Sequence, residues 1–227
     1  MTMAGALNRA LADAIESDER VLVFGEDVGA LGGVFRVTDG LTERFGEQWC
    51  FDTPLAESGI VGTAVGMAMN GMLPVVEMQF DAFALPAFEQ IVSHVAKLGN
   101  RTRGATRMPM VIRIPFGGGI GGVEHHCDSS EAYYAHTPGL TVVSPATPQD
   151  AYSLLRAAIG SPDPVIFMEL KKLYWSKGPV DTSAVADLRR AAVVRAGSDV
   201  TLIAYGPSVS IALEAAEALA TEGRSAK

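Results

Sequence analysis

A chain of 227 residues that is 48% apolar and 19% charged can bury one large core, or one large and one small, and reads as globular. Its 18 basic and 26 acidic side chains leave a formal net charge of −8, which disfavours attraction to nucleic acid and to anionic membrane surfaces. Only Cys50 and Cys127 are present, far apart and without a CxxC spacing, so neither a disulfide framework nor a zinc site is expected and a reducing, cytoplasmic setting fits.

In chain order, Met1–Ser17 predicts an Ala/Leu helix in which Asn8, Arg9, Asp13 and Glu16 interrupt the apolar run a secretory signal needs. No stretch reaches the roughly 18 apolar residues of a membrane span. Short β-branched runs then alternate with helical stretches. Strands are expected at Val21–Gly25, Leu73–Phe80, Met110–Phe116, Leu140–Ser144, Val165–Leu170 and Val200–Tyr205. Helices are expected at Gly59–Asn70, Ala84–Gly99, Ser129–Ala135, Pro148–Ile159 and Ser208–Glu222. The helix after Thr147 has a strong start signal: Thr147 as cap, Pro148 in the first position and Asp150 at the positive end of the dipole. Such alternation defines an α/β fold, a mostly parallel sheet with helices on both faces. The pattern weakens after Lys171 and Lys172, so the expected division is a first domain over 1–178, a linker over 179–198, and the start of a second α/β domain over 199–227. One strand and one helix make no core, so further residues of that second domain are expected in the native chain; a small appendage on the first domain is the alternative.

Three stretches unite glycines, polar groups and strand ends, where open α/β sheets place ligands. They are Gly25–Gly29 with Gly32 and Gly33, Asp52–Gly59, and Phe116–Gly122 followed by Glu124, His125 and His126. None is a P-loop or a strict GxGxxG with a downstream acid, so a nucleotide site is weakly indicated. Glu57 precedes a run of small residues, Ser58–Met67, that would let another helix approach closely. It reads either as a helix-start carboxylate facing the dipole or as a buried acid that needs a partner.

The segments Gly25-Glu-Asp-Val28, Gly33-Val-Phe-Arg-Val-Thr-Asp-Gly40, Asp52-Thr-Pro-Leu-Ala-Glu-Ser-Gly-Ile60, Pro86-Ala-Phe-Glu-Gln-Ile91, Ala135-His-Thr-Pro-Gly-Leu140 and Val165-Ile-Phe-Met-Glu-Leu-Lys171 agree in order and spacing with one family. The chain resembles the beta subunits of the thiamine-diphosphate-dependent decarboxylating components of 2-oxo acid dehydrogenase complexes, along essentially its whole length. Glu77-Met-Gln-Phe80 followed by Phe83 is closer to the branched-chain members than to the pyruvate ones.

The resemblance implies the thiamine-diphosphate pyrimidine-binding fold and assigns roles residue by residue. Glu57 matches the glutamate that hydrogen-bonds the cofactor's aminopyrimidine, Phe83 the aromatic that stacks on that ring, and Leu55 an apolar neighbour of it. His126 matches the second histidine of a His-aromatic-His segment, a proton donor or acceptor near the reacting carbon. Here the chain departs from the family, with Glu124 in place of the first histidine and His125 in place of the aromatic. His94 and His136 read as structural. Some members also hold a structural potassium ion near the positions of Ile112, Ala158, Ser161 and Asp163, and oxygen-rich loops suit such a cation.

The implied activity is oxidative decarboxylation of a branched-chain 2-oxo acid with reductive acylation of a lipoyl group. The implied partners are an alpha subunit in an alpha2beta2 assembly and a lipoyl acyltransferase core. The sequence has no Gly-Asp-Gly motif with a downstream asparagine, so the diphosphate and Mg²⁺ are expected to be held mainly by the alpha subunit. A pyruvate or acetoin dehydrogenase beta subunit is the alternative within the class, and a non-catalytic assembly module the alternative outside it.

Overall fold

The computed structural model describes residues 1–227. Six strands form one all-parallel sheet: β1 (Val21–Gly25), β2 (Cys50–Asp52), β3 (Leu73–Glu77), β4 (Val111–Phe116), β5 (Thr141–Val143) and β6 (Val165–Leu170), in the spatial order β2-β1-β3-β4-β6-β5. Because successive strand side chains point to opposite faces, the runs split cleanly between two cores. Val21, Val23, Val75, Val111, Val165 and Phe167 enter one cluster, whereas Phe24, Val76, Ile112, Ile114, Ile166 and Met168 enter the other. Each such side chain, fully buried, contributes about 1.5–3 kcal/mol.

The first face is covered by α1 (Met3–Ser17) and α6 (Pro148–Ile159), which pack side by side. Thr2 caps α1 by accepting from the Gly5 amide at 3.0 Å. Thr147 and Asp150 form the expected start of α6 as a reciprocal capping box, with both bonds at 3.1 Å. A short helix α2 (Leu41–Phe45) leads into β2. The other face carries α3 (Glu57–Met69), a 3₁₀ segment at Ala82–Ala87, a π-type turn at Gln90–Val95, α4 (Leu98–Arg101) and α5 (Glu131–Ala135).

The structure corrects several sequence expectations. The continuous helix expected over Ala84–Gly99 is broken into three pieces: Pro86 has no amide hydrogen for an α ladder, and the next turn widens to a π geometry. The strand expected at Val200–Tyr205 is absent, since its single bridge joins Val200 to Ala226 and no neighbouring strand offers a ladder. Ile203 is 94% exposed there. Two elements were not expected, α2 and the three-residue edge strand β2, both too short to carry a periodic signal.

After β6 the chain runs through Pro179–Gly197 with little regular structure and mostly exposed side chains, then forms α7 (Ser208–Thr221), which buries only Ala216. Tyr205 ties this segment back by donating to Glu131 Oε1 at 3.0 Å. No helix is long and apolar enough to cross a membrane.

At the centre of the sheet sits a fully buried ionic cluster. Arg113 on β4 donates to Glu169 on β6 at 2.7 and 2.8 Å and to Glu77 on β3 at 2.5 Å, and the Tyr174 hydroxyl donates to Glu169 at 2.7 Å. Burial works against the guanidinium charge, but Glu169 and Glu77 raise its pKa above the ordinary arginine value. Burial also raises the Glu77 carboxyl, against the pull of Arg113.

Candidate active site

Because all strands are parallel, their C-terminal ends share one edge of the sheet, and the loops leaving them carry the chemistry-bearing residues in strand order. Leu55 and Glu57 follow β2, Glu26 and Asp27 follow β1, Phe80, Asp81 and Phe83 follow β3, His126 follows β4, and Lys171 follows β6.

The loops are laced together. The Gly29 amide donates to Asp52 Oδ1 at 2.6 Å, and Gln79 Nε2 donates to Asp27 Oδ2 at 2.7 Å, which joins the β1 loop to those of β2 and β3. Asp81 accepts from the Ser130 amide at 2.8 Å and hydroxyl at 2.5 Å, fixing the β3 loop to the start of α5. Close approach also demands a glycine at the end of β1, since a Cβ on Gly25 would stand 2.5 Å from the Glu77 carbonyl oxygen.

Glu57 is half-buried in the first turn of α3, where its carboxylate meets the positive end of the helix. Beside it Glu26 is only 8% exposed, and its Oε1 has no hydrogen-bond partner. Burial, then the nearby charges of Glu57 and Asp27, raise the Glu26 pKa, so this acid keeps its proton above the usual carboxylate range. Sequence reasoning missed Glu26 as a site residue, although the Gly25-Glu-Asp-Val28 motif at a strand end was its signal.

Phe83 and His126 are brought together, with ring centroids 5.2 Å apart in an edge-to-face arrangement. Phe80 completes a trio, 5.4 Å from Phe83 and 4.6 Å from His126. His126 Nδ1 lies 3.0 Å from the Glu124 carbonyl oxygen. A carbonyl only accepts, so Nδ1 carries a proton, and Nε2 is the ring nitrogen left for a further partner. His125, in left-handed backbone at φ 71°, turns the chain sharply just before it. Glu57 belongs to the β2 end of the edge, three strand spacings or about 14 Å from β4. It is linked to the aromatic trio through α3, which packs on the Ala82–Ala87 segment carrying Phe83. Leu55 is 81% exposed next to Glu57.

At the stretch matched to a potassium ion, side-chain oxygens are engaged otherwise. Asp163 meets Arg107 at 3.3 Å and Arg189 at 3.6 Å, while Ser161 Oγ donates to the Asp163 carbonyl at 2.8 Å and accepts from its amide at 3.2 Å. Ile112 and Ala158 are buried in the two cores. The side-chain oxygens of Ser161 and Asp163 are thus engaged within the chain.

The arrangement is thus an open parallel α/β sheet that presents a carboxylate pair at one end of its ligand edge and an aromatic–imidazole cluster further along. The family model "Transketolase, pyrimidine binding domain" matches residues 1–176, and "Transketolase, C-terminal domain" matches residues 189–227. The chain belongs to the transketolase-like pyrimidine-binding family and, within it, to the beta subunits of 2-oxo acid dehydrogenase decarboxylating components.

It is 58% identical over 218 residues to the 3-methyl-2-oxobutanoate dehydrogenase subunit beta of Mycobacterium tuberculosis (strain ATCC 25618 / H37Rv), covering 96% of this chain and 63% of that protein. The chain therefore spans somewhat less than two thirds of that relative. It is 54% identical to the pyruvate dehydrogenase E1 component subunit beta of Leifsonia xyli subsp. xyli, covering 99% and 67%, and 48% identical to the 2-oxoisovalerate dehydrogenase subunit beta of Bacillus subtilis, covering 100% and 70%. Among solved structures, a "Split gene transketolase, inactive beta4 tetramer" aligns over 100% of this chain and 69% of its own with TM-score 0.79 and 23% identity, a likeness of fold alone.

Proposed function

We propose that this chain supplies the pyrimidine-side half of the active site of a 2-oxo acid dehydrogenase's decarboxylating component, completed by an alpha subunit in an alpha2beta2 assembly. Its reaction is oxidative decarboxylation of a branched-chain 2-oxo acid with transfer of the acyl group to a lipoyl group on an acyltransferase core. The observation that carries this reading is the shared sheet edge, where Glu57, the Phe83–His126 contact and exposed Leu55 stand on successive loops. The branched-chain substrate is favoured by the 58% identity to a protein named for 3-methyl-2-oxobutanoate; relatives named for pyruvate stand close behind. Two unpaired cysteines, Cys50 buried and Cys127 partly so, favour a cytoplasmic setting.

The residues present fit the pyrimidine end of thiamine diphosphate. Glu57 offers an acceptor at a helix start, Phe83 a half-buried ring face and Leu55 an exposed apolar side chain. When bound, that cofactor supplies the electron sink for loss of carbon dioxide. Glu57 would hold the pyrimidine end through a hydrogen bond to a ring nitrogen and would thereby bias the ring's tautomer. Beside Glu57, burial and the neighbouring acids raise the Glu26 pKa, so the two acids of the pair have different surroundings. Phe83 would stack on the pyrimidine ring, and His126, whose Nδ1 is engaged by the Glu124 carbonyl, would offer Nε2 for proton transfer. The diphosphate and its Mg²⁺ fall to the alpha subunit, because this sequence has no Gly-Asp-Gly motif with a downstream asparagine.

The test is calorimetric. Thiamine diphosphate with magnesium titrated into the purified full-length beta chain should give no tight binding, and the same titration into mixed alpha and beta chains should give binding and turnover together. Micromolar binding with turnover by the beta chain alone would overturn the divided site.

A further inference from the structure

The fold treats its two buried cations in opposite ways. Arg113 is saturated by Glu77 and Glu169. Lys171, 2% exposed at the end of β6, has an Nζ with no hydrogen-bond partner. That Nζ lies 5.9 Å from the centroid of Phe80, the ring that touches both Phe83 and His126. The ionisable groups whose charges act on it are Cys127, Asp81 and Asp128, and both Asp81 oxygens are already bound by Ser130. Burial pushes the Lys171 amine down, opposed by those three groups. A buried ammonium without an acceptor is costly, so an acceptor brought from outside the chain would be bound with force.

The charge around it points to the kind of acceptor. Along this edge stand Glu26, Asp27, Asp52, Glu57, Asp81 and Asp128, a surface that repels an anion. Lys172 next door is solvent-exposed, its stem lying along Gly119, and so acts as a hydrated charge. Lys171 alone is both cationic and desolvated at the aromatic trio. The loop over it, from Gly117 to Asp128, rests on Leu170 and Lys172, and its ends are joined by the Gly117 amide donating to the Asp128 carbonyl at 2.7 Å.

We propose that Lys171 is the residue through which this chain recognises the carboxylate of its 2-oxo acid, its amine meeting an anionic oxygen delivered beside Phe80, Phe83 and His126. This rests on the 2-oxo acid reading above and adds to it a specificity-determining cation from the beta chain.

The experiment compares wild type with Lys171→Met and Lys171→Gln in the assembled enzyme, using two probes. One is the 2-oxo acid substrate, and the other is the aldehyde of the same carbon skeleton, which lacks the carboxylate and is read as an inhibitor. The expected result is a KM for the 2-oxo acid raised about tenfold or more, with a smaller change in kcat and an unchanged inhibition constant for the aldehyde. An unmoved KM overturns the proposal, and so does an equal loss for acid and aldehyde, which would mean that Lys171 merely shapes the pocket. Failure of both neutral variants to fold overturns it as well, because an amine held for a ligand has no bond within the fold to lose. Wild-type enzyme that turns over no 2-oxo acid would remove the functional reading itself, an outcome separate from turnover with an unmoved KM.

Discussion

Glu26 and Glu57 are two acids of one neighbourhood with different surroundings, and their replacement should separate their roles. Glu57→Gln keeps the size but weakens proton sharing, so turnover in the assembled enzyme should fall about 10² or more, read in steady-state kinetics. Glu26 makes a pH prediction. Its folded-state pKa is raised, so the native protein holds a proton that the unfolded chain has released, and stability falls as pH rises from the ordinary carboxylate value through the raised one. Glu26→Gln removes that fall. The thermal midpoint of the variant relative to wild type should climb across this window and then level off, and a difference independent of pH would contradict the assignment. His126→Ala should slow acyl transfer to the lipoyl group while leaving diphosphate anchoring intact, which single-turnover and cofactor-binding measurements distinguish. Glu57, Phe83 and His126 stand out in the sequence because the segments that carry the family resemblance include or flank them, and the structure places all three on loops at the C-terminal ends of strands. Burial is what singles out Glu26 and Lys171, and burial depends on loops that meet only in three dimensions.

Strands β3, β4 and β6 owe their register to the Arg113 cluster as well as to their apolar faces. Arg113→Met leaves Glu77 and Glu169 as buried carboxylates without a cation, and the cost should be about 3–5 kcal/mol, visible as a lowered denaturant midpoint. Removing all three charges with well-packed apolar residues should recover much of that loss. Elements with a strong local signal were read from sequence with their full bounds: β1 and β6 from β-branched runs, α6 from Thr147, Pro148 and Asp150. The failures are equally physical. Leu73–Phe80 shortens to Glu77 because the chain leaves the sheet to place Phe80 in the aromatic trio, and β2 needs its neighbour β1 to be a strand at all. The sequence of Val200–Tyr205 is strand-like, but a strand is a property of a pair.

At the scale of the whole molecule, the segment after residue 178 differs from the rest. Val185 is 92% exposed, and Arg189, Arg190 and Arg195 lie in a stretch with little regular structure. We expect limited trypsin digestion of this chain to cut there first and leave a fragment near 1–189 that keeps its circular dichroism; early cleavage inside β3 or β4 would contradict a first unit that stands alone. The same architecture bears on how the protein reaches its fold. Glu77, Arg113 and Glu169 are separated by 36 and 56 residues, yet each is buried and usable only when the other two have arrived. Every strand pairing in the sheet is parallel, so none forms by a local hairpin and each waits for an intervening crossover. Contacts so distant along the chain slow the search for the native state, and until the guanidinium is enclosed the nascent sheet exposes apolar strand edges that other chains can capture. A cell making this protein therefore needs the partly formed sheet sheltered during synthesis, and its yield should depend on chaperone supply more than on the stability of the finished fold.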